Sequence, residues 1–262
     1  MKIVYGPVPS WRLGRSLGVD ALGGGRKCCT FDCTYCQLGP TPHGPVLRDA
    51  WVDPAALAEE LRATRHVPVD YVTFSGLGEP TLASNLGYLI QVVREFRTTP
   101  VAVLTNASLL NAPSVQAALQ FADYVIAKLD AADKEVLLRV NRPRIPCSLA
   151  EIIQGICTFR QGFTGRLALQ IMFVAANAAQ AEALAALARW LRLEEVQLNT
   201  PLRPSPTPPL ARPEMGAIAR MFDGLPVVQV YEAAPVTAVP LDRAETRSRR
   251  PEWDDVQATI SR

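Results

Sequence analysis

Residues 28–39 read CCTFDCTYCQLG and place four of the chain's six cysteines within nine positions. Cys29, Cys33 and Cys36 are spaced C-x3-C-x2-C, and Cys28 directly precedes them. Three thiolates on one tight loop can hold three corners of a cubic [4Fe–4S] cluster and leave the fourth iron without a protein ligand, open to another molecule. The competing reading is a structural zinc, which wants four protein ligands and would recruit Cys28 or His43. Structural zinc sites usually join two separated ligand pairs, whereas Cys147 and Cys157 stand alone here. The spacing therefore favours iron–sulfur, with Cys28 a bystander, Cys157 a small core residue and Cys147 a spare thiol.

Working outward, β-branched runs recur along the chain: SLGVDAL (16–22) before the cysteines, then VDYVTFS (69–75), VAVLTN (101–106), DYVIAKLD (123–130), LALQIMFV (167–174), EVQLN (195–199) and VVQVYE (227–232). Their apolar stretches are nearly continuous, as expected of parallel strands covered on both faces. Helical patterns lie between them. Asp53 can cap a helix with Pro54 at its first position and Leu57 and Leu61 on one face; Leu86, Leu89, Ile90 and Val93 form the next apolar stripe. Ser148 and Glu151 make a capping box ahead of Leu149, Ile152, Ile153 and Ile156. Leu184, Leu187, Ala188 and Leu191 repeat the stripe. About six alternations imply one parallel sheet, either an open doubly wound sheet or a partial barrel, with the active site at the carboxyl ends of the strands. PLRPSPTPP (201–209) reads as a stiff surface loop.

Composition sets the outer bounds. Hydrophobic residues make up 48 % and charged residues 20 % of the 262, ordinary values for a globular protein. A net charge of +2 gives no strong footprint for a polyanion, although lysine occurs only at Lys2, Lys27, Lys128 and Lys134 and arginine supplies the rest of the 27 basic residues. MKIVYGPVPS does not read as a secretory signal, and no apolar run reaches the roughly 18 residues a membrane helix needs. A cytoplasmic location without a membrane partner is the expectation, and in a reducing compartment clustered thiols hold metals more often than they form disulfides. No G-x-S-x-G elbow is present, and His43 and His66 offer little acid–base equipment for a hydrolase.

The cysteine spacing, with the aromatic Tyr35 before the last cysteine, resembles the radical S-adenosylmethionine superfamily. The segments GPVPSWRLGRSLGVD, CQLGPT, FSGLGEPTL, VLTNASLL, KLDAAD, VNRP and VQLNTPLRP resemble its iron–sulfur oxidoreductase group related to wyosine-type tRNA modification enzymes. The resemblance implies a partial (β/α)6 TIM-like barrel over residues 1–239, with 240–262 a tail or the remnant of an extra helical segment. It implies a [4Fe–4S] cluster on Cys29, Cys33 and Cys36 whose open iron is chelated by S-adenosylmethionine, and a 5′-deoxyadenosyl radical that takes hydrogen from a substrate.

By the same resemblance Tyr35, Ser75, Gly76, Gly78, Glu79, Asn106, Ser108, Asp130 and Asn199 serve the S-adenosylmethionine. Ser75-Gly76-Leu77-Gly78-Glu79 matches the superfamily's glycine-glycine-glutamate element, with Leu77 in place of the first glycine. Relatives commonly carry glutamate where Gln170 stands and lysine-glycine where Ala175-Ala176 stand. Lys128 is a lysine inside an apolar strand, which is rarely buried without a partner. The reading favours an ion pair with Asp130 or Glu79, and the alternative is a catalytic lysine that forms a Schiff base with a carbonyl substrate. A separate ferredoxin or flavodoxin is the expected electron donor, because no second cysteine set is present. The substrate is a small molecule, a peptide or a tRNA base. After Pro240 the pattern fails, and Arg243, Arg247, Arg249 and Arg250 read as a solvated tail or a nucleic-acid contact.

Overall fold

A computed structural model describes residues 1–44 and 46–252. Eight strands form one sheet in the order of the chain: β1 Val4–Ser10, β2 Gly14–Val19, β3 Tyr71–Phe74, β4 Val101–Thr105, β5 Tyr124–Lys128, β6 Arg166–Met172, β7 Glu195–Asn199 and β8 Val227–Gln229. The β1–β2 pair is antiparallel and every later pair is parallel. Helices α1 Pro54–Thr64, α2 Leu86–Phe96, α3 Pro113–Leu119, α4 Lys134–Val136, α5 Leu149–Gly162, α6 Ala181–Leu191 and α7 Arg212–Met221 fill the crossovers, and α8 Arg243–Arg249 follows the sheet. Six β-to-α units and a closing strand make the partial (β/α)6 barrel that the sequence predicts.

The caps fall where the side chains call for them. Asp53 accepts from the Ala55 N–H at the start of α1, and Ser148 and Glu151 bond reciprocally at the start of α5. Leu57, Leu61, Leu89, Ile90, Val93, Ile152, Ile156 and Leu184 pack the helical layer onto the outer face of the sheet. The inner face has its own layering, because parallel register sets Ala102 beside Tyr124 and Ile126 beside Ala168. Together with Leu13 from the β1–β2 turn, these residues form a small apolar cluster that plugs the amino-terminal end of the barrel. Two residues further along, Lys128 stands beside Gln170, so the lumen turns polar towards the carboxyl ends of the strands.

Two elements differ from the expectation. Strand β1 is added at the edge; its sequence VYGPVPS carries two prolines, which an edge strand tolerates because its outer N–H groups need no partner. The segment after Pro240 is no solvated tail as far as it is described. Asp242 caps α8, Thr246 accepts from the Gly6 N–H at 3.1 Å, and the Arg249 side chain is fully buried. Its Nε donates to Asp20 at 3.0 Å, its Nη1 to Glu245 at 2.9 Å, and the guanidinium lies 5.0 Å over the Tyr5 ring. Residues 253–262, the end of the expected tail, lie outside the described residues.

Candidate active site

The loop that follows β2 carries the cysteines, and the turn after β3 is joined to it backbone to backbone. The Cys28 N–H donates to the Leu77 carbonyl at 2.8 Å and the Glu79 N–H donates to the Cys28 carbonyl at 3.1 Å. Gly78 makes this approach possible: its φ is +155°, and a Cβ there would sit 1.6 Å from the Cys28 carbonyl oxygen. Gly76 has a parallel role against Asp20, whose carboxylate a Cβ would meet at 2.4 Å. Leu77 in place of a glycine is accommodated, since its backbone does the bonding.

Glu79 is buried with its carboxylate fully engaged. It accepts from the Thr81 N–H and hydroxyl, from the Thr105 hydroxyl at 2.7 Å and from the Asn106 N–H at 2.7 Å. Burial pushes its carboxyl pKa up, and these bonds pull against that. The bonds fix Asn106 at the end of β4, where its Nδ2 donates to Thr30 at 2.7 Å and points at the Cys29 sulfur at 3.6 Å. The Ser108 N–H donates back to the Asn106 side chain, across an Ala107 held at φ +63°, and the Ser108 hydroxyl meets that of Thr30 at 2.7 Å.

A second knot lies under Cys33. After α4 the chain makes a π-helical turn, Leu137–Asn141, ended by a left-handed Arg142. The turn aims Asn141 inward, with Nδ2 within 2.7 Å of Asp130, 3.1 Å of the Tyr35 oxygen and 3.6 Å of the Cys33 sulfur. Tyr35 donates to the same Asp130 oxygen. Lys128 Nζ donates to Tyr35 at 3.2 Å, lies 4.7 Å over its ring and pairs with Asp130 at 3.7 Å. Asp130 also accepts from the Met172 N–H at 2.8 Å, which ties β5 to β6. Of the two partners expected for Lys128, it takes Asp130.

Cys29, Cys33, Tyr35, Glu79, Asn106, Ser108, Lys128 and Asp130 are therefore drawn into one connected rim. Ser75 and Asn199 stand apart on the wall of the lumen: Ser75 Oγ meets Tyr5 and Arg250, and Asn199 accepts from the Thr200 N–H. His43 and His66 are both exposed. The residues that sequence reasoning left without a role are Asn141, Thr30 and the buried pair Asp20–Arg249; VNRP contains Asn141, but only the π-turn shows where it points.

The donor set fits an iron–sulfur cluster. Burial raises the Cys29 thiol pKa, with Glu79 and Cys33 adding to it, and pushes that of Cys33 up to about 11. Such thiols become thiolates when a cation compensates them. Amide N–H groups from Asn106 and Asn141 already point at two of the sulfurs, an arrangement that supports cluster thiolates. The Asn141 Oδ1 is buried and has no hydrogen-bond partner among the described residues, an acceptor left over at the rim. Among the described residues no three His, Cys, Asp or Glu side chains group around a single metal ion; a cubic cluster distributes its cysteines over separate iron corners. Cys36 faces a lumen of about 530 Å³ that Tyr35, Lys128, Ser75 and Asn199 also line.

Comparison with known proteins bears on the same segment. Residues 27–172 match the profile of the radical SAM superfamily. A UPF0026 protein of Synechocystis sp. is 42% identical over 204 residues, covering 78% of this chain and 77% of that protein. A UPF0026 protein of Methanocaldococcus jannaschii is 32% identical over 85% of this chain and 70% of its own length. Among solved structures, Streptococcus suis SuiB bound to the precursor peptide SuiA superposes with a TM-score of 0.62 at 13% identity, over 78% of this chain and 47% of SuiB, so the chain spans about half of that protein. Archaeal TYW1 gives 0.51 at 15% identity over 80% and 71%. Among the described residues no helix is long and apolar enough to cross a membrane.

Proposed function

The chain belongs to the radical SAM superfamily, an enzyme family that works with a [4Fe–4S] cluster and S-adenosylmethionine, and from that premise we propose that it cleaves S-adenosylmethionine reductively and takes a hydrogen atom from a substrate lodged in the barrel lumen. The observation that carries this reading is the joining of the C-x3-C-x2-C loop to the Gly78 turn at the carboxyl ends of β2 and β3, with Cys36 facing the lumen. Cys29, Cys33 and Cys36 hold the cluster. When bound, the cluster supplies the one electron that breaks the S–C5′ bond of the sulfonium into methionine and a 5′-deoxyadenosyl radical, which becomes 5′-deoxyadenosine on taking the substrate hydrogen.

The protein's part is to orient and to exclude water. Asn106 and Asn141 direct N–H groups at the sulfurs of Cys29 and Cys33. Glu79 acts as a positioning residue, because both its oxygens are spent on Thr81, Thr105 and Asn106. Tyr35, Ser108 and Asp130 line the same rim, while Ser75, Gly76, Gly78 and Asn199 complete the approach from the neighbouring strand ends. Lys128 is held by Asp130 and Tyr35, on the wall between rim and lumen. The electron comes from a separate ferredoxin or flavodoxin.

The test is anaerobic reconstitution with iron and sulfide, reduction by dithionite, and chromatography for 5′-deoxyadenosine. Brown protein that forms 5′-deoxyadenosine, with both properties lost in Cys29→Ala, Cys33→Ala and Cys36→Ala, is the expected result. Colourless protein carrying one zinc would overturn it.

A further inference from the structure

We propose that the lumen recognises a small molecule through a phosphate group, gripped by Arg12, Arg203 and Arg250. These three arginines come from unrelated segments, the β1–β2 turn, the loop beyond β7 and the residue after α8, and all line the one lumen that also contains Lys128 and Cys36. Their only hydrogen-bond acceptors among the described residues are neutral. Arg250 donates to Ser75 Oγ at 2.9 Å and to the Arg249 carbonyl at 3.1 Å. Arg12 lies 5.2 Å from the Trp11 ring, and its Nε is buried with no hydrogen-bond partner among the described residues.

The three charges feel one another. Burial, then Arg250, then Arg203 among the opposing groups lower the Arg12 pKa to about 10, and burial followed by Arg250 does the same for Arg203. The carboxylates that act against this field are already committed. Glu195 accepts from Tyr124, Gln197 and Arg166, and Glu252 pairs with Arg247. Like charges gathered in a half-enclosed cavity whose lining, among the described residues, carries no carboxylate form an electrostatic funnel for an anion. A phosphate supplies close to two charges and three acceptor oxygens, which answers several guanidinium forks at once, whereas a monocarboxylate answers one. A lumen of about 530 Å³ suits a metabolite-sized ligand. That this ligand is the hydrogen donor rests on the radical reading above; the anion site itself does not.

Titration calorimetry on the full-length, anaerobically reconstituted protein tests the assignment, with inorganic phosphate, pyrophosphate and acetate as probes. Phosphate and pyrophosphate should bind with 1:1 stoichiometry and acetate should give no heat. Arg203→Gln and Arg250→Gln should each weaken phosphate by about ten-fold or more, the scale of one lost charge-assisted bond. Arg65→Gln, at an exposed position after α1, is the surface control. Saturating S-adenosylmethionine should leave phosphate bound. Silence with phosphate, equal affinity for acetate, lumen variants no weaker than Arg65→Gln, or displacement of phosphate by S-adenosylmethionine would each overturn the proposal. Phosphate binding without 5′-deoxyadenosine formation sinks the radical reading alone, and the converse sinks the phosphate site alone.

Discussion

The rim and the lumen of this barrel solve the problem of buried polarity in opposite ways. At the rim, Glu79 and Asp130 are buried carboxylates whose oxygens are met by hydroxyls, amides and backbone N–H groups, and the Cys29 and Cys33 sulfurs each receive an amide N–H. In the lumen, Arg12, Arg203 and Arg250 share a cavity in which, among the described residues, the acceptors are neutral. A network satisfied from within is stable before any ligand arrives; a cluster of like charges is kept at a cost in stability and recovers it on binding. Substitutions should therefore move stability in opposite directions in the two regions.

The largest effect is expected where backbone meets backbone. Gly78→Ala would place a Cβ 1.6 Å from the Cys28 carbonyl oxygen, with no flexible atom to yield. Strain and forced separation of the two loops should cost about 4 kcal/mol, read as a lowered urea midpoint, and the cluster should not assemble. Arg249→Gln comes next. It strips the cation from Asp20, which is itself buried and braces both the Leu77 N–H and the start of the cysteine loop. Breaking a buried pair on one side costs about 3 kcal/mol. If the urea midpoint of Arg249→Gln matched wild type, the C-terminal helix would have no part in holding the rim.

Those two positions also mark how far the sequence could be read. The Gly78 turn was legible, because a Gly-x-Gly-Glu run after a β-branched stretch demands close backbone approach. Lys128 was legible too: a lysine in YVIAK needs a buried partner, and Asp130 stands two residues away. Seven strands announced themselves by continuous apolar runs, while β1 hid behind its prolines. Arg249 was not legible. LDRAETRSRR has the composition of a solvated surface, and its partner Asp20 lies 229 residues distant, so burial there comes from tertiary pairing that no local pattern records. Asn141 and the arginine trio were missed for the same reason, since each matters through neighbours brought in by other crossovers.

Asn141→Leu should have a middling effect with a spectroscopic signature. It removes the amide shared by Asp130, Tyr35 and Cys33, leaving a buried carboxylate with fewer donors, which costs about 2 kcal/mol. With the N–H to sulfur gone, the cluster's reduction potential should fall, because hydrogen bonds to the sulfurs are one of the protein's levers on it. An unchanged potential beside lowered stability would confine Asn141 to a packing role.

The smallest effect is the most diagnostic, because its sign is reversed. Arg12→Met keeps much of the side-chain volume while removing a partly buried cation that faces Arg250 and Arg203 and leaves its Nε unbonded. Free of ligand, the variant should be more stable than wild type by about 1 kcal/mol. The gain should shrink as salt rises, because screening weakens the repulsion that the substitution relieves. Phosphate should erase the advantage, since binding stabilises only the protein that still holds all three arginines. Thermal melts at low and high ionic strength, with and without phosphate, separate these terms. A destabilised Arg12→Met under every condition would mean that the arginine is structural, and that the lumen, like the rim, is satisfied from within.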